Sequence, residues 1–186
     1  MKRLNVILLV AGLTAIAMTS SAAQLEIDPQ QSKIEVAVSS TFDSFVGHLD
    51  KYQAAVECDP TATLPAKAEV NFNFGDLKTG DKDRDAAMLK WLEYDSHQTA
   101  SFHLTGWDQA GTANMALGDL TIHGITVAVR MPVAVKRADG AWDISGQTVI
   151  DYKDFKLPKI RKALILTVNP KLKVKFHLVG KIVTAK

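Results

Sequence analysis

Ile125-Thr126-Val127-Ala128-Val129-Arg130-Met131-Pro132-Val133-Ala134-Val135 alternates without a break between large apolar residues and smaller or polar ones. The same period of two returns at Leu172, Val174, Phe176 and Leu178, set among Lys171, Lys173, Lys175 and His177. It appears again at Val70, Phe72 and Phe74, between Glu69, Asn71 and Asn73. Successive side chains of a strand point to opposite faces, so these runs are strands with one dry and one wet face. Such strands belong to antiparallel sheets, because parallel sheets are covered on both sides and read as continuous apolar runs. A sheet curled on itself either fills its dry interior with side chains or encloses one apolar ligand.

Working outward, strands are expected at residues 25–27, 33–39 and 44–57, the last bent or bulged at Gly47, and at 66–74 after Asp59-Pro60 and Leu64-Pro65. Met88, Trp91 and Leu92 then fall at i, i+3 and i+4, which is one face of a helix. Asp81 is a candidate N-cap, and Asp83 and Asp85 place negative charge in the first turn, so the helix is expected over 82–93. Strands resume at 99–107 and 115–123. His123-Gly124 turns the chain into the long strand, and Asp139-Gly140 is a hairpin signal joining it to 141–151. A connector from 151 to 162 precedes a final strand split by Asn169-Pro170. The fold class is mainly β: an antiparallel β-barrel of about eight strands with one α-helix near its mouth.

The first residues stand apart. Lys2 and Arg3, the apolar stretch 4–18 and the small residues Ser20-Ser21-Ala22-Ala23 follow the grammar of a secretory signal. Residues 1–23 are read as that signal, with cleavage after Ala23, and 24–186 as a single exported domain, periplasmic or secreted. Asn5, Gly12 and Thr14 interrupt the stretch, which falls short of the roughly 20 residues of a membrane span, so no stable membrane anchor is expected.

Lys and Arg total 22 against 20 Asp and Glu, a balance that points to no nucleic-acid partner. Cys58 is the one cysteine, which excludes an internal disulfide, and it reads as a small buried hydrophobe. There is no Gly-x-Ser-x-Gly elbow and no Gly-rich phosphate loop. The five histidines, His48, His97, His103, His123 and His177, form no His-x-His or His-Glu-x-x-His pair. A metal site would need residues brought together from distant strands, and none is expected. His103 and His177 take the polar phase of their strands and read as exposed. No enzyme and no cofactor is expected.

One compact polar group stands out: Asp81, Asp83, Arg84 and Asp85, just before the apolar helix face. These residues serve as cap and first turn in one reading. In the other, Arg84 lies at the barrel mouth and holds a phosphate or carboxyl head group. Met88 and Trp91 likewise suit either a core cap or a lid over a ligand. Spacing is compatible with both.

The order of these features resembles the YceI-like, polyisoprenoid-binding family of lipocalin-like barrels. The resemblance runs from Ile27-Asp28-Pro29 and Ser32 through Phe45-Val46-Gly47, Asp83-Arg84-Asp85 and Ala100-Ser101-Phe102. It continues through Gly118-Asp119-Leu120-Thr121-Ile122-His123-Gly124-Ile125-Thr126, Met131-Pro132-Val133 and Asp154-Phe155. It implies a long apolar tunnel that binds an isoprenoid, a quinone tail or another long-chain amphiphilic lipid, without catalysis. Where members of the family carry histidines, this chain has Ser40 and Ala87. Where they have Tyr-Pro, it has His97-Gln98.

The expected lining is the dry phase of the strands: Phe72, Phe74, Phe102, Leu104, Ile122, Val129, Met131, Val174 and Phe176. Arg84, Met88 and Trp91 join them at the mouth. The expected partner is therefore an isoprenoid or similar lipid, bound or transported in the tunnel, and a homodimer is left open. The rival reading is an envelope stress or protein-interaction module with a filled barrel core.

Overall fold

The computed structural model describes residues 23–41, 43–162 and 166–183. The proposed signal segment falls almost wholly on residues 1–22, outside that range. The strands are β1 (Ala23–Ile27), β2 (Lys33–Ser39), β3 (Ser44–Leu49), β4 (Gln53–Cys58), β5 (Lys67–Asn73), β6 (Leu77–Lys78) and β7 (Thr99–Asp108). They continue as β8 (Asn114–Ile122), β9 (Ile125–Ala138), β10 (Ala141–Asp151), β11 (Arg161–Lys162), β12 (Leu166–Thr167) and β13 (Lys171–Val183). Between β6 and β7 lies α1 (Lys82–Trp91).

The sheet closes on itself. The order β1-β4-β5-β7-β8-β9-β10-β13 returns to β1 and makes an antiparallel barrel of eight strands. The long strand β13 turns a corner in the wall: its C-terminal part pairs with β1 and its earlier part with β2, which carries β3 and β6 outward. The expected alternation holds along the walls. In β9, Ile125, Val127, Val129, Met131 and Val133 are buried or half-buried while Thr126, Ala128, Arg130, Pro132 and Ala134 are exposed.

The single strand expected over 44–57 is two strands. β3 pairs with β2 and β6, its ladder with β6 extended by Asp50 N donating to Asp76 O at 3.0 Å, while β4 pairs with β1 and β5. No glycine or proline marks that break. Gly47, expected as a bend, instead sits in register opposite Val36, where a Cβ would come within 3.2 Å of the Leu77 side chain. The helix begins as expected, with the Asp81 carboxylate accepting from the backbone N–H groups of Asp83 and Arg84 at 3.0 Å each. It stops at Trp91 rather than residue 93, because Glu93 turns into the left-handed region at φ 50.

The two ends of the barrel differ. At the hairpin end, all eight strands are linked and their inner faces pack into one cluster around Trp142, Cys58, Val56, Leu25, Ile144 and Leu178. Arg137 covers it, with its guanidinium 4.5 Å from the Trp142 ring and donating to Pro60 O and Ala62 O at 2.7 and 2.6 Å. Toward the helix end the wall divides. Among the described residues, the β9–β10 ladder ends at Val133↔Gly146, next to Pro132, which has no N–H to give a neighbouring strand. The rest of β9 stays with β8, and the rest of β10 with β13. The helix and the segment Tyr152–Phe155 close this end with a second cluster of Phe74, Leu92, Ala100, Ile150, Tyr152, Phe155 and Leu157.

Candidate functional site

Between these clusters lies a waist whose inward side chains are not sealed. Val70, Phe102, Leu120 and Val127 face one another across β5, β7, β8 and β9 through direct cross-strand pairing. Val36, Val174 and Thr148 do the same on β2, β13 and β10. All seven are half-buried, whereas inward residues at the hairpin end, such as Leu104, Met131 and Leu178, are closed off. Solvent reaches these side chains from the interior or through the division of the wall beyond Val133↔Gly146. The polar contribution to this belt is Thr148, whose Oγ1 donates to Arg130 O at 3.4 Å; the rest is aliphatic or aromatic.

Two glycines shape the space. A Cβ at Gly118 would stand 2.4 Å from the Phe102 ring, and one at Gly146 would stand 2.7 Å from the Phe176 ring. Both rings therefore settle against bare backbone instead of projecting across the interior.

The expected lining residues divide accordingly. Phe72, Phe102, Ile122, Val129, Val174 and Phe176 are half-buried on the inner face of the waist, and Val129 touches both clusters. Leu104 and Met131 are buried in the hairpin-end cluster, and Phe74 is buried in the helix-end cluster, edge-on to Phe72 at 5.4 Å. Val36, Val38, Phe45, Val70, Leu120 and Val127 share the half-buried inner face and were not singled out from the sequence. Their strand phases were readable; their distance from the sealed ends was not.

At the helix end, Arg84 is half-buried with its guanidinium 4.1 Å from the Phe45 ring centroid. Its Nε donates to Thr79 Oγ1 and its Nη2 to Thr79 O, each at 3.0 Å. Thr79 in turn donates to the Asp85 carboxylate through N and Oγ1 at 2.9 and 2.6 Å. The cap-and-first-turn role is thus realised. Trp91 is clamped: its Nε1 donates to Pro158 O at 2.9 Å and its ring stands edge-on to Tyr152 at 5.1 Å. Met88 packs against the same cluster.

Two recesses open at the surface. One, of about 490 Å³, lies beside the end of the β9–β10 ladder and is lined by residues of both phases, among them Pro132, Ser145 and Lys175 together with Val133, Gly146 and Phe176. The other, of about 350 Å³, is lined by Ser39, Ser40, Thr41, Lys153, Lys159, Val168, Asn169 and Pro170. Both are open and carry polar groups.

Cys58 is fully buried, and that burial pushes its thiol up to about 11, with the nearby Arg137 charge acting in the opposite direction. His177, expected to be exposed, is half-buried and pairs with Asp143 at 3.0 Å. Among the described residues, one convergence of metal-ligating groups occurs that sequence reasoning did not anticipate: Glu93, His97 and His123. The i, i+4 spacing of Glu93 and His97 was visible, but the approach of His123 depends on the fold.

No described helix is long and apolar enough to cross a membrane. Among curated proteins no sequence matches this chain. Solved structures do. BcnA of Burkholderia cenocepacia is 23% identical, with a TM-score of 0.72 over 83% of this chain and 99% of that one. A polyisoprenoid-binding domain from Saccharophagus degradans, described as implicated in plant cell wall breakdown, is 16% identical, with a TM-score of 0.65 over 88% and 100%. The Campylobacter jejuni YceI protein is 15% identical, with a TM-score of 0.56 over 75% and 84%. At these identities the likeness establishes the barrel and its helix. A family model, that of the YceI-like domain, matches residues 25–180, nearly the whole described barrel, and so the chain belongs to the YceI-like domain family.

Proposed function

We propose that this protein binds a long-chain amphiphilic lipid, an isoprenoid or quinone tail being the best fit, inside the barrel and without catalysis. The observation that carries the reading is the half-buried apolar belt between two closed clusters. Membership of the YceI-like family and the likeness to a polyisoprenoid-binding domain support it. The driving force is transfer of the tail from water, about 0.8 kcal/mol for each methylene buried. Because one methylene discriminates weakly, such a site is permissive among tails. Phe72, Phe102, Ile122, Val129, Val174 and Phe176 line it, with Arg84 beside the entrance for an anionic head. A transport role follows if the lipid can be handed on.

The signal-like N-terminus supports export to the periplasm. Sequencing of protein recovered from a bacterial periplasm should start at Gln24 or one residue earlier. A start at Ala23 would keep the pairing of Ala23 with Cys58 in β1 and β4. Recovery of intact Met1 in a membrane fraction would overturn the export reading.

The decisive experiment is organic extraction of protein purified from the periplasm, followed by mass spectrometry. A stoichiometric long-chain lipid is expected. Lipid-free protein that also fails to take up a polyprenyl chain would favour a filled core and a surface-acting module.

A further inference from the structure

We infer that Glu93, His97 and His123 form a binding site for a transition-metal divalent cation of the zinc type, at the helix end of the barrel. The site joins three separate pieces of chain. Glu93 follows α1, His97 precedes β7, and His123 lies in the turn between β8 and β9. One ligand atom from each lies within 4.8 Å of the others. His123 Nε2 and Glu93 Oε2 are 3.3 Å apart, and the His97 and His123 ring centroids are 3.9 Å apart. Zinc bonds of about 2.0–2.2 Å at tetrahedral angles put neighbouring ligand atoms roughly 3.3–3.5 Å apart, so the Glu93–His123 separation already matches one edge of such a site.

The chemistry of the set favours zinc over a harder cation. Two imidazoles and one carboxylate suit zinc, cobalt or nickel, whereas magnesium and calcium take oxygen ligands. Three protein ligands leave one coordination position for water. Both imidazoles are half-buried, which limits competition by bulk water, and the exposed carboxylate leaves a path of entry.

A simple ion pair between Glu93 and His123 does not account for the whole arrangement. It needs no second imidazole, yet the His97 ring lies beside that of His123, tilted by 46°. Glu93 and His123 both adopt left-handed conformations, φ 50 and φ 53, where a side chain costs energy that glycine or asparagine largely avoids. Each conformation has a local cause: Glu93 ends α1 in the left-handed region, and His123 with Gly124 makes the two-residue turn between β8 and β9, as Asp139 with Gly140 does between β9 and β10. Gly124, at φ 70, completes the turn, and a Cβ there would lie 3.7 Å from the His97 ring. Bound metal would tie the segment after α1 to the β8–β9 turn, fixing the helix over the barrel end.

The test uses mature protein free of any histidine tag and stripped with a chelator. Titration with cobalt should give visible d–d absorption that saturates at one ion per chain and is displaced by zinc. His97→Asn and His123→Asn should each weaken zinc binding at least 100-fold. Asparagine suits the left-handed position at 123, so that variant retains the turn. His103→Asn, on the outer face of β7, should bind as the wild type does. Because a variant can fail for other reasons, the wild type carries a second readout: zinc should perturb the imidazole NMR signals of His97 and His123 and leave those of His48, His103 and His177 in place. Any of three results would overturn the site: no saturable one-to-one binding, binding that survives in a folded His97→Asn/His123→Asn double variant, or a preference for calcium or magnesium.

Discussion

The ring of Phe176 occupies the space that a Cβ of Gly146, its cross-strand partner, would need, at a separation of 2.7 Å. The pair sits where the β9–β10 ladder ends and the waist begins. Gly146→Ala should drive the ring into the barrel interior and also press on the backbone, since the Cβ would stand 2.9 Å from Pro132 O. If that interior is ligand space, the variant should retain less lipid by mass spectrometry. Its stability loss should be about 1–3 kcal/mol by thermal or denaturant unfolding, the usual cost of overpacking. A variant that loses stability while retaining full lipid would place the tail elsewhere.

Val129 touches both closed clusters from the half-buried waist. Val129→Trp should block a tunnel while lowering stability by less than about 1 kcal/mol, because the indole takes up ligand volume rather than displacing core atoms. In a filled core the same change overpacks and costs about 1–3 kcal/mol. Unfolding curves and the recovered lipid, measured together, separate the two.

Arg84 is held by Thr79 and Phe45 at the helix end of the barrel, where the proposed head-group site lies. A charge-assisted hydrogen bond contributes about 1.5–3 kcal/mol, so Arg84→Ala should weaken dodecyl phosphate binding roughly 10- to 100-fold. Dodecanol binding should be nearly unchanged. Equal losses for both probes would mean that Arg84 acts through the structure of the mouth and not through the head group.

Cys58 should resist a thiol reagent at pH 8 in the native state and react fully once unfolded, since burial pushes its thiol up to about 11. The sign of the linkage follows. The folded state holds the thiol proton more tightly than the unfolded chain, whose thiol has an ordinary value near 8.5. This contribution to stability is therefore fully present below about pH 8.5 and is lost as pH rises toward 11. Unfolding midpoints of wild type and Cys58→Ala, compared between pH 8 and pH 11, should show the wild type losing more.

The strand phases, the cap at Asp81 and the turns at His123-Gly124 and Asp139-Gly140 were all legible because each depends on neighbours a few residues away. Period-two alternation assigns a face to every residue of β9 and β13, whatever those strands pair with. The division of 44–57 into β3 and β4 was not legible, because it reflects which strands each half pairs with, β2 and β6 for one and β1 and β5 for the other, and no local breaker marks it. The same limit applied to the lining. Alternation put Leu104, Met131 and Val129 on one dry face, but only the closure of the ring seals the first two in a cluster and leaves Val129 half-buried. The approach of His123 to Glu93 and His97 is likewise a product of three separate segments meeting at one end of the barrel. By itself the sequence determined which side of each strand is dry and that the chain curls into a barrel. Whether that dryness becomes packed core or open space depends on which strands meet across the interior, and the tertiary structure decides it.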